Sequence, residues 1–410
     1  MTLNPVITGR PHDWPSLDAP PPARLREWLM ERMFRAAVRT LPVRVVLPGG
    51  ERIGRGGPDS PVMRILRPSV FFRRMGVCGP IGFGEGYLAG DWTSTDPAAL
   101  LTPFAARIRR PIRRPYATLR RWADHPRPAA EHNTVEGARS NIHRHYDLSN
   151  ELFELFLDES MTYSSAWFAP GDDLAAAQIR KVDAVLDYAG IGPGTRVLEI
   201  GCGWGSLAIR AAQRGAEVTA LTISAEQREY AERRIADAGV GDRVRVLLRD
   251  YREAEGRFDA VVSVEMTEAV GAEYWPEYFA ALDRCTRPGG RISLQVITMP
   301  HDRMLATKDV YTWIQKYVFP GGQVLSVRAV EEQIAARAGL EIIARRRLGG
   351  HYARTLGEWN GRFLANADAV AALGFDQTFQ RLWEFYLAYC EAGFRSGFLD
   401  VWQFRVDKAG

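Results

Sequence analysis

The feature that most constrains the fold is a rhythm that begins near residue 140. Short runs rich in Val, Ile and Leu ("TRVLEIG", "EVTALTI", "RVRVLLRD", "FDAVVSVEM", "GRISLQVI") alternate with stretches of helical periodicity. A parallel strand pair needs a long crossover, usually a helix, so this alternation predicts a parallel sheet of βαβ units. The chain before it reads differently. Residues 1–23 are proline-rich and read as a leader, and residues 24–40 carry apolar groups at amphipathic helical spacing. From about 43 to 90, short apolar runs are cut by glycines, the pattern of a small sheet-containing domain. The expected organisation is a leader (1–23), an N-terminal α+β domain (24–122), a linker (123–139) and an α/β domain (140–410). A chain of 410 residues is too long for one ordinary domain, and 46% hydrophobic with 25% charged residues excludes general disorder.

Within the α/β region, "VLEIGCGWGSLAIRAA" (197–212) ends a strand at Ile200 and crowds Gly201, Gly203 and Gly205 into a turn before a helix. Glycines let the backbone approach a ligand closely, and the helix start offers free N–H groups. The spacing is G-x-G-x-G, not the G-x-G-x-x-G of dinucleotide folds. Glu199, just before the first glycine, would repel a pyrophosphate. A cationic, phosphate-free ligand such as S-adenosylmethionine (SAM) tolerates a carboxylate there. The next strand ends at Thr222, where many nucleotide folds carry an acid for the ribose; Thr222 and Gln227 offer hydrogen bonds instead. Asp250 ends the third strand, placed to accept from an adenine amino group.

"RISLQVITMP" (291–300) poses a different problem. Gln295 interrupts an otherwise apolar strand, and burying an unpaired amide costs on the order of 2 kcal/mol or more. A partner for Gln295 is therefore expected, at the strand end where open parallel sheets keep their sites.

Taken together, "HYDLSNELFELFLDESMTYSSAWF", "VLEIGCGWGS", "LTISAEQ", "DYRE", "WIQKYVFPGG", "HYARTL" and "YCEAGFR" resemble the cyclopropane fatty acid synthase family of SAM-dependent methyltransferases. The similarity spans about 135–405, and "FGEGYLAGDW" (83–92) extends it weakly into that family's N-terminal lipid-associated domain. The resemblance implies a Rossmann-like class I methyltransferase domain that acts on the cis double bond of an acyl chain in a phospholipid. It implies SAM contacts from Tyr163, Ser164, Gly201, Gly203, Thr222, Gln227 and Asp250. It also implies a bicarbonate ion beside the transferred methyl, acting as base and held by Ser165, Glu268, Gln295, Ile297 and Tyr352.

This chain departs from the cyclopropane-forming pattern in places. Ser165 stands for a cysteine, Gln295 for a histidine, and Ala269 for the histidine of an "FEH" stretch. Serine and glutamine still donate hydrogen bonds but do not titrate near neutrality. "LQ-x-ITMP" and "VEM-x-EAVG" resemble a branch that makes methylene- or methyl-branched chains, completed by a separate flavin-dependent reductase. Methyl branching is therefore expected over cyclopropanation.

Other readings weigh less. Four cysteines without tight spacing are not a disulfide framework. The "HRH" at 143–145 lacks further ligands for a metal, so none is expected. Residues 107–121 hold seven arginines and no acid. With Pro111 and Pro115 interleaved, they suit anionic phospholipid headgroups better than nucleic acid. No secretory signal is visible, so a cytoplasmic protein peripheral to the inner membrane surface is expected, with homo-oligomerisation left open. A small-molecule methyltransferase is the rival enzyme, and a lipid-binding scaffold with a decayed site is the rival outside enzymes.

Overall fold

The computed structural model describes residues 17–108 and 148–410. The chain divides into two compact units, each built from separated segments: Met1–Arg127, Asp309–Val318 and Leu356–Phe398 in one, Pro128–Lys308, Phe319–Thr355 and Leu399–Gly410 in the other. The expected arginine run beyond residue 108, the linker and His143–His145 lie outside the described residues.

In the first unit, the expected helix is α1 (Arg24–Val38), which buries Phe34 and Val38. A four-stranded sheet follows in the order β2-β1-β3-β4: β1 (Arg44–Val46), β2 (Arg52–Ile53), β3 (Val62–Ile65) and β4 (Trp92–Thr93). The sheet is smaller than the glycine-cut pattern suggests, because 68–88 is helical: α2 spans Pro68–Leu88, kinked at Gly79 (φ 57°) before Pro80. The glycines of α2 serve close packing. A Cβ at Gly84 would collide with the Trp313 ring, and one at Gly86 would press on Phe71. Helix α3 (Pro97–Ile108) packs against the late helix Gln377–Arg395. A linear boundary near 140 misses such returns of the chain. An amphipathic face announces that a helix packs, not on what.

In the second unit, the five expected strands form as β5 (Arg196–Ile200), β6 (Glu217–Thr222), β7 (Val244–Leu248), β8 (Phe258–Val264) and β9 (Thr286–Thr298). They are mutually parallel. Two more, β10 (Leu340–Arg347) and β11 (Asp400–Lys408), add antiparallel, giving the order β10-β11-β9-β8-β5-β6-β7. Helices cover both faces: α4 (Leu174–Ala189) and α5 (Ser206–Gln213) on one, α6 (Trp275–Cys285) and α7 (Val327–Ala335) on the other. Successive strand residues point to opposite faces. Val197 accordingly joins Val182, Val185 and Ala208, while Leu198 and Ile200 join Tyr278, Phe279 and Val330. The chain runs outward from β5 through β6 to β7, then returns to place β8 on β5's other side. That reversal makes the β5/β8 boundary a topological switch point, where such sheets hold ligands.

Candidate active site

The turn after β5 is a backbone cradle. Gly201, Gly203 and Gly205 have φ of 83°, 50° and 88°, values an L side chain rarely adopts. Gly205 starts α5. A Cβ at Gly201 would collide with the side chain of Met266, whereas one at Gly203 would meet nothing within 4 Å. Gly203 thus faces open space. Glu199 is buried, its Oε2 has no hydrogen-bond partner among the described residues, and burial pushes its pKa up to about 8. Thr222 and Gln227 are joined, Thr222 Oγ1 donating to Gln227 Oε1 at 3.0 Å. Asp250 is buried with its carboxylate on the Arg252 guanidinium at 2.8 Å. Ser164 Oγ accepts from Lys181 Nζ at 2.6 Å, and the Tyr163 ring packs edge-on to Phe153.

Beside the cradle, at the end of β8, two acids stand three residues apart. Glu265 has φ of 52°, a left-handed conformation for a non-glycine residue. Its Oε1 accepts from Gln295 Nε2 at 2.8 Å and from the Ser165 N–H at 2.9 Å, and its Oε2 from the Tyr352 hydroxyl at 2.9 Å. Glu268 Oε1 accepts from the Ile297 N–H, and Thr267 Oγ1 lies 3.2 Å from its Oε2. Burial raises the pKa of both carboxyls, and the Glu265 charge helps push Glu268 up to about 8. Glu268 is therefore mostly neutral at pH 7. Glu265 has three donors and the charge of Lys181 favouring its ionised form.

The Gln295 question has its answer here. Its Oε1 accepts from Gln403 Nε2 at 3.0 Å, so its own amide N–H is aimed at Glu265. The Ser165 hydroxyl turns to its neighbour's carbonyl, Ala166 O, and only its backbone N–H reaches the acid.

Residues 133–404 match the family model described as mycolic acid cyclopropane synthetase. The chain belongs to this family. It is 48% identical over 390 residues (93% of this chain, 91% of the relative) to "Tuberculostearic acid methyltransferase UfaA1" of Mycobacterium tuberculosis. It is 34% identical over 355 residues (83% and 86%) to "Cyclopropane-fatty-acyl-phospholipid synthase" of Escherichia coli. Among solved structures, mycolic acid cyclopropane synthase CmaA1 complexed with SAH and CTAB superposes with a TM-score of 0.61 at 32% identity, covering 66% of this chain and 98% of that one. The protein is thus a SAM-dependent methyltransferase with the Rossmann-like fold of that class.

The cradle fits its methyl donor. A buried carboxyl group whose Oε2 has no partner among the described residues, next to an open glycine turn, suits a cationic ligand without phosphate. The second group that the family resemblance implies does not fit. The Tyr352 hydroxyl, the Gln295 amide and the Ser165 N–H engage Glu265, and the Ile297 N–H engages Glu268. A bicarbonate among them would displace or face two carboxyl groups. The structure also regroups the expected residues, since the Tyr352 hydroxyl, expected on a free anion, donates to Glu265.

Sequence reading misses Glu265, Lys181 and Gln403. The signal for Glu265 was present: an acid closing an apolar strand, inside the "VEM-x-EAVG" stretch, three residues before an acid already singled out. Lys181 and Gln403 gave none, because each lies in an element whose other residues read as ordinary core.

Proposed function

We propose that the protein methylates the cis double bond of an unsaturated acyl chain in a phospholipid and releases a methylene-branched chain. The observation that carries this reading is the buried pair Glu265 and Glu268 at the switch point, bonded to amide, hydroxyl and backbone groups and, among the described residues, to no imidazole. An alkene that attacks an electrophilic methyl becomes a carbocation. A dry site with a fixed carboxylate stabilises that charge and keeps water from quenching it. Similarity to a tuberculostearic acid methyltransferase supports branching.

SAM supplies the electrophilic methyl. Tyr163, Ser164, Glu199, Gly201, Gly203, Gly205, Thr222, Gln227 and Asp250 hold it. Charge then develops on the carbon next to the methylated one. A hydrogen migrating with its electron pair from the methylated carbon brings the charge there, and loss of a methyl proton leaves a methylene. Loss of that proton without migration closes a cyclopropane, the second reading, favoured by the cyclopropane synthases among the relatives. A separate reductase with flavin and a hydride source saturates the methylene.

The substrate chain lies in a bilayer, so the enzyme works at its surface. Leu25, Trp28, Leu29 and Met33 are exposed along α1 beside exposed Arg24, Arg26 and Arg32, a pattern suited to an anionic interface. No described helix is long and apolar enough to cross a membrane. Mass spectrometry of lipids from cells expressing this chain alone tests the proposal. Phospholipid acyl chains gaining one carbon support it, and an unchanged lipid profile despite soluble, SAM-binding protein refutes it.

A further inference from the structure

We infer that Glu265 is the proton acceptor of the reaction, a carboxylate of the chain itself taking the place of a diffusible anion. The inference rests on the methyl-transfer reading above. Three observations carry it.

The first is the set of donors. The groups expected to hold a free anion, namely the Tyr352 hydroxyl, the Gln295 amide and the Ser165 peptide, converge on the Glu265 carboxylate at 2.8–2.9 Å. A carboxylate has about four acceptor positions. Oε1 takes two donors and Oε2 one, which leaves Oε2 a lone pair for a proton.

The second is the backbone. Glu265 holds φ of 52°, which costs a side-chain-bearing residue on the order of 1–2 kcal/mol. It is pinned there by its own N–H, which donates to Gln295 O at 2.8 Å. Strained residues fixed by their surroundings concentrate at functional sites. Here the strain turns the acid out of the sheet's register, at the end of the strand adjoining the glycine turn.

The third is the difference between the two acids. Glu268, mostly neutral at pH 7, has backbone Ile297 as its main partner. Glu265 has the donors of an anion, and its burial makes it a stronger base than an exposed carboxylate.

The step balances. The C–H bond of the transferred methyl breaks, its electron pair becomes the second bond of the methylene, and the proton goes to Glu265 Oε2. Solvent takes that proton when the product leaves. Gln295, Tyr352 and Gln403 are positioning residues that fix the carboxylate.

The test uses the full-length enzyme, cis-unsaturated phospholipid vesicles and SAM, in carbon-dioxide-free buffer with and without added bicarbonate. Equal wild-type rates are expected. A wild-type rate that falls tenfold or more on depletion and returns with bicarbonate overturns the inference alone. A wild-type enzyme that transfers no methyl to lipid overturns the proposed function and the inference together. Glu265→Gln keeps the shape and should lose about 10²–10⁴-fold in rate, the usual contribution of a positioned base, with SAM affinity by calorimetry within about twofold of wild type. A Gln variant of near-wild-type rate overturns the inference. Glu265→Gly relieves the backbone strain and opens a carboxylate-sized space among the same donors. Its rate should be equally low and should recover with millimolar bicarbonate or formate. A Gly variant fully active without added anion overturns the inference as well.

Discussion

Replacing Gln295 with Leu keeps the strand apolar and roughly the same volume, and removes one donor from Glu265. The lost contact is a hydrogen bond of 2.8 Å to an ionised acid, worth about 1.5–3 kcal/mol. At about 1.4 kcal/mol per pKa unit, the Glu265 pKa should rise by about one to two units. A base works only when ionised, so activity rises with pH through this pKa, and the acid limb of the kcat/KM profile should move up by that amount. The same change strands the Gln403 amide, which now donates to Gln295 at 3.0 Å and keeps only a longer contact of 3.4 Å to Lys181 O. A buried donor left unsatisfied costs about 1–3 kcal/mol, so Tm should fall too. The two effects separate by assay. The pH profile reads the acid, and thermal unfolding reads the amide. Gln403→Leu should lower Tm comparably while shifting the acid limb less, because Gln295 keeps its own N–H. An acid limb unmoved in Gln295→Leu, with Tm lowered, would refute the claim that Gln295 tunes the base.

Other outcomes follow from the same geometry. Gly203→Val should abolish SAM binding by calorimetry while the fold persists by circular dichroism, because the branched side chain enters the open face of the cradle at a φ of 50°. SAM affinity should tighten as pH rises toward about 8 and level off above it, as Glu199 becomes ionised against the cation; Glu199→Gln should flatten that dependence, and an unchanged slope would exclude the contact. Trp28→Ser with Leu29→Ser should weaken cosedimentation with anionic vesicles at low salt, and binding indifferent to both the substitutions and salt would remove α1 from the membrane account. Ser165→Cys with Gln295→His should shift products toward cyclopropane if these positions set the partition, whereas an unchanged mixture would place the decision elsewhere.

The sheet was legible because its five parallel strands are short apolar-rich runs bounded by helical stretches, a pattern set in the central β5 and β8 by burial on both faces. β10 and β11 were not, since β10 alternates buried or half-buried with exposed residues and carries three successive arginines at its end. The cradle was legible in Gly201–Gly205, because only glycine sits at such φ values without strain. Gln295 was legible as an anomaly, and its demand for a partner was met. The partner itself was hidden. Glu265 stands out locally as an acid closing an apolar strand, but nothing local reveals that the backbone there turns left-handed and swings the acid between Ser165, Gln295 and Tyr352. That convergence joins residues up to 187 positions apart, Tyr352 and Ser165 being the extremes. It is a property of the sheet's topology, which no short stretch encodes.

The central claim is tested most directly by incubating the purified enzyme with SAM and a cis-unsaturated phospholipid and recording the proton NMR spectrum of the released fatty acids. Methylene and cyclopropane products have the same mass, so the hydrogens must be seen. The account predicts vinylidene hydrogens of an exocyclic methylene as the dominant new signal. Dominant cyclopropane ring hydrogens would contradict it.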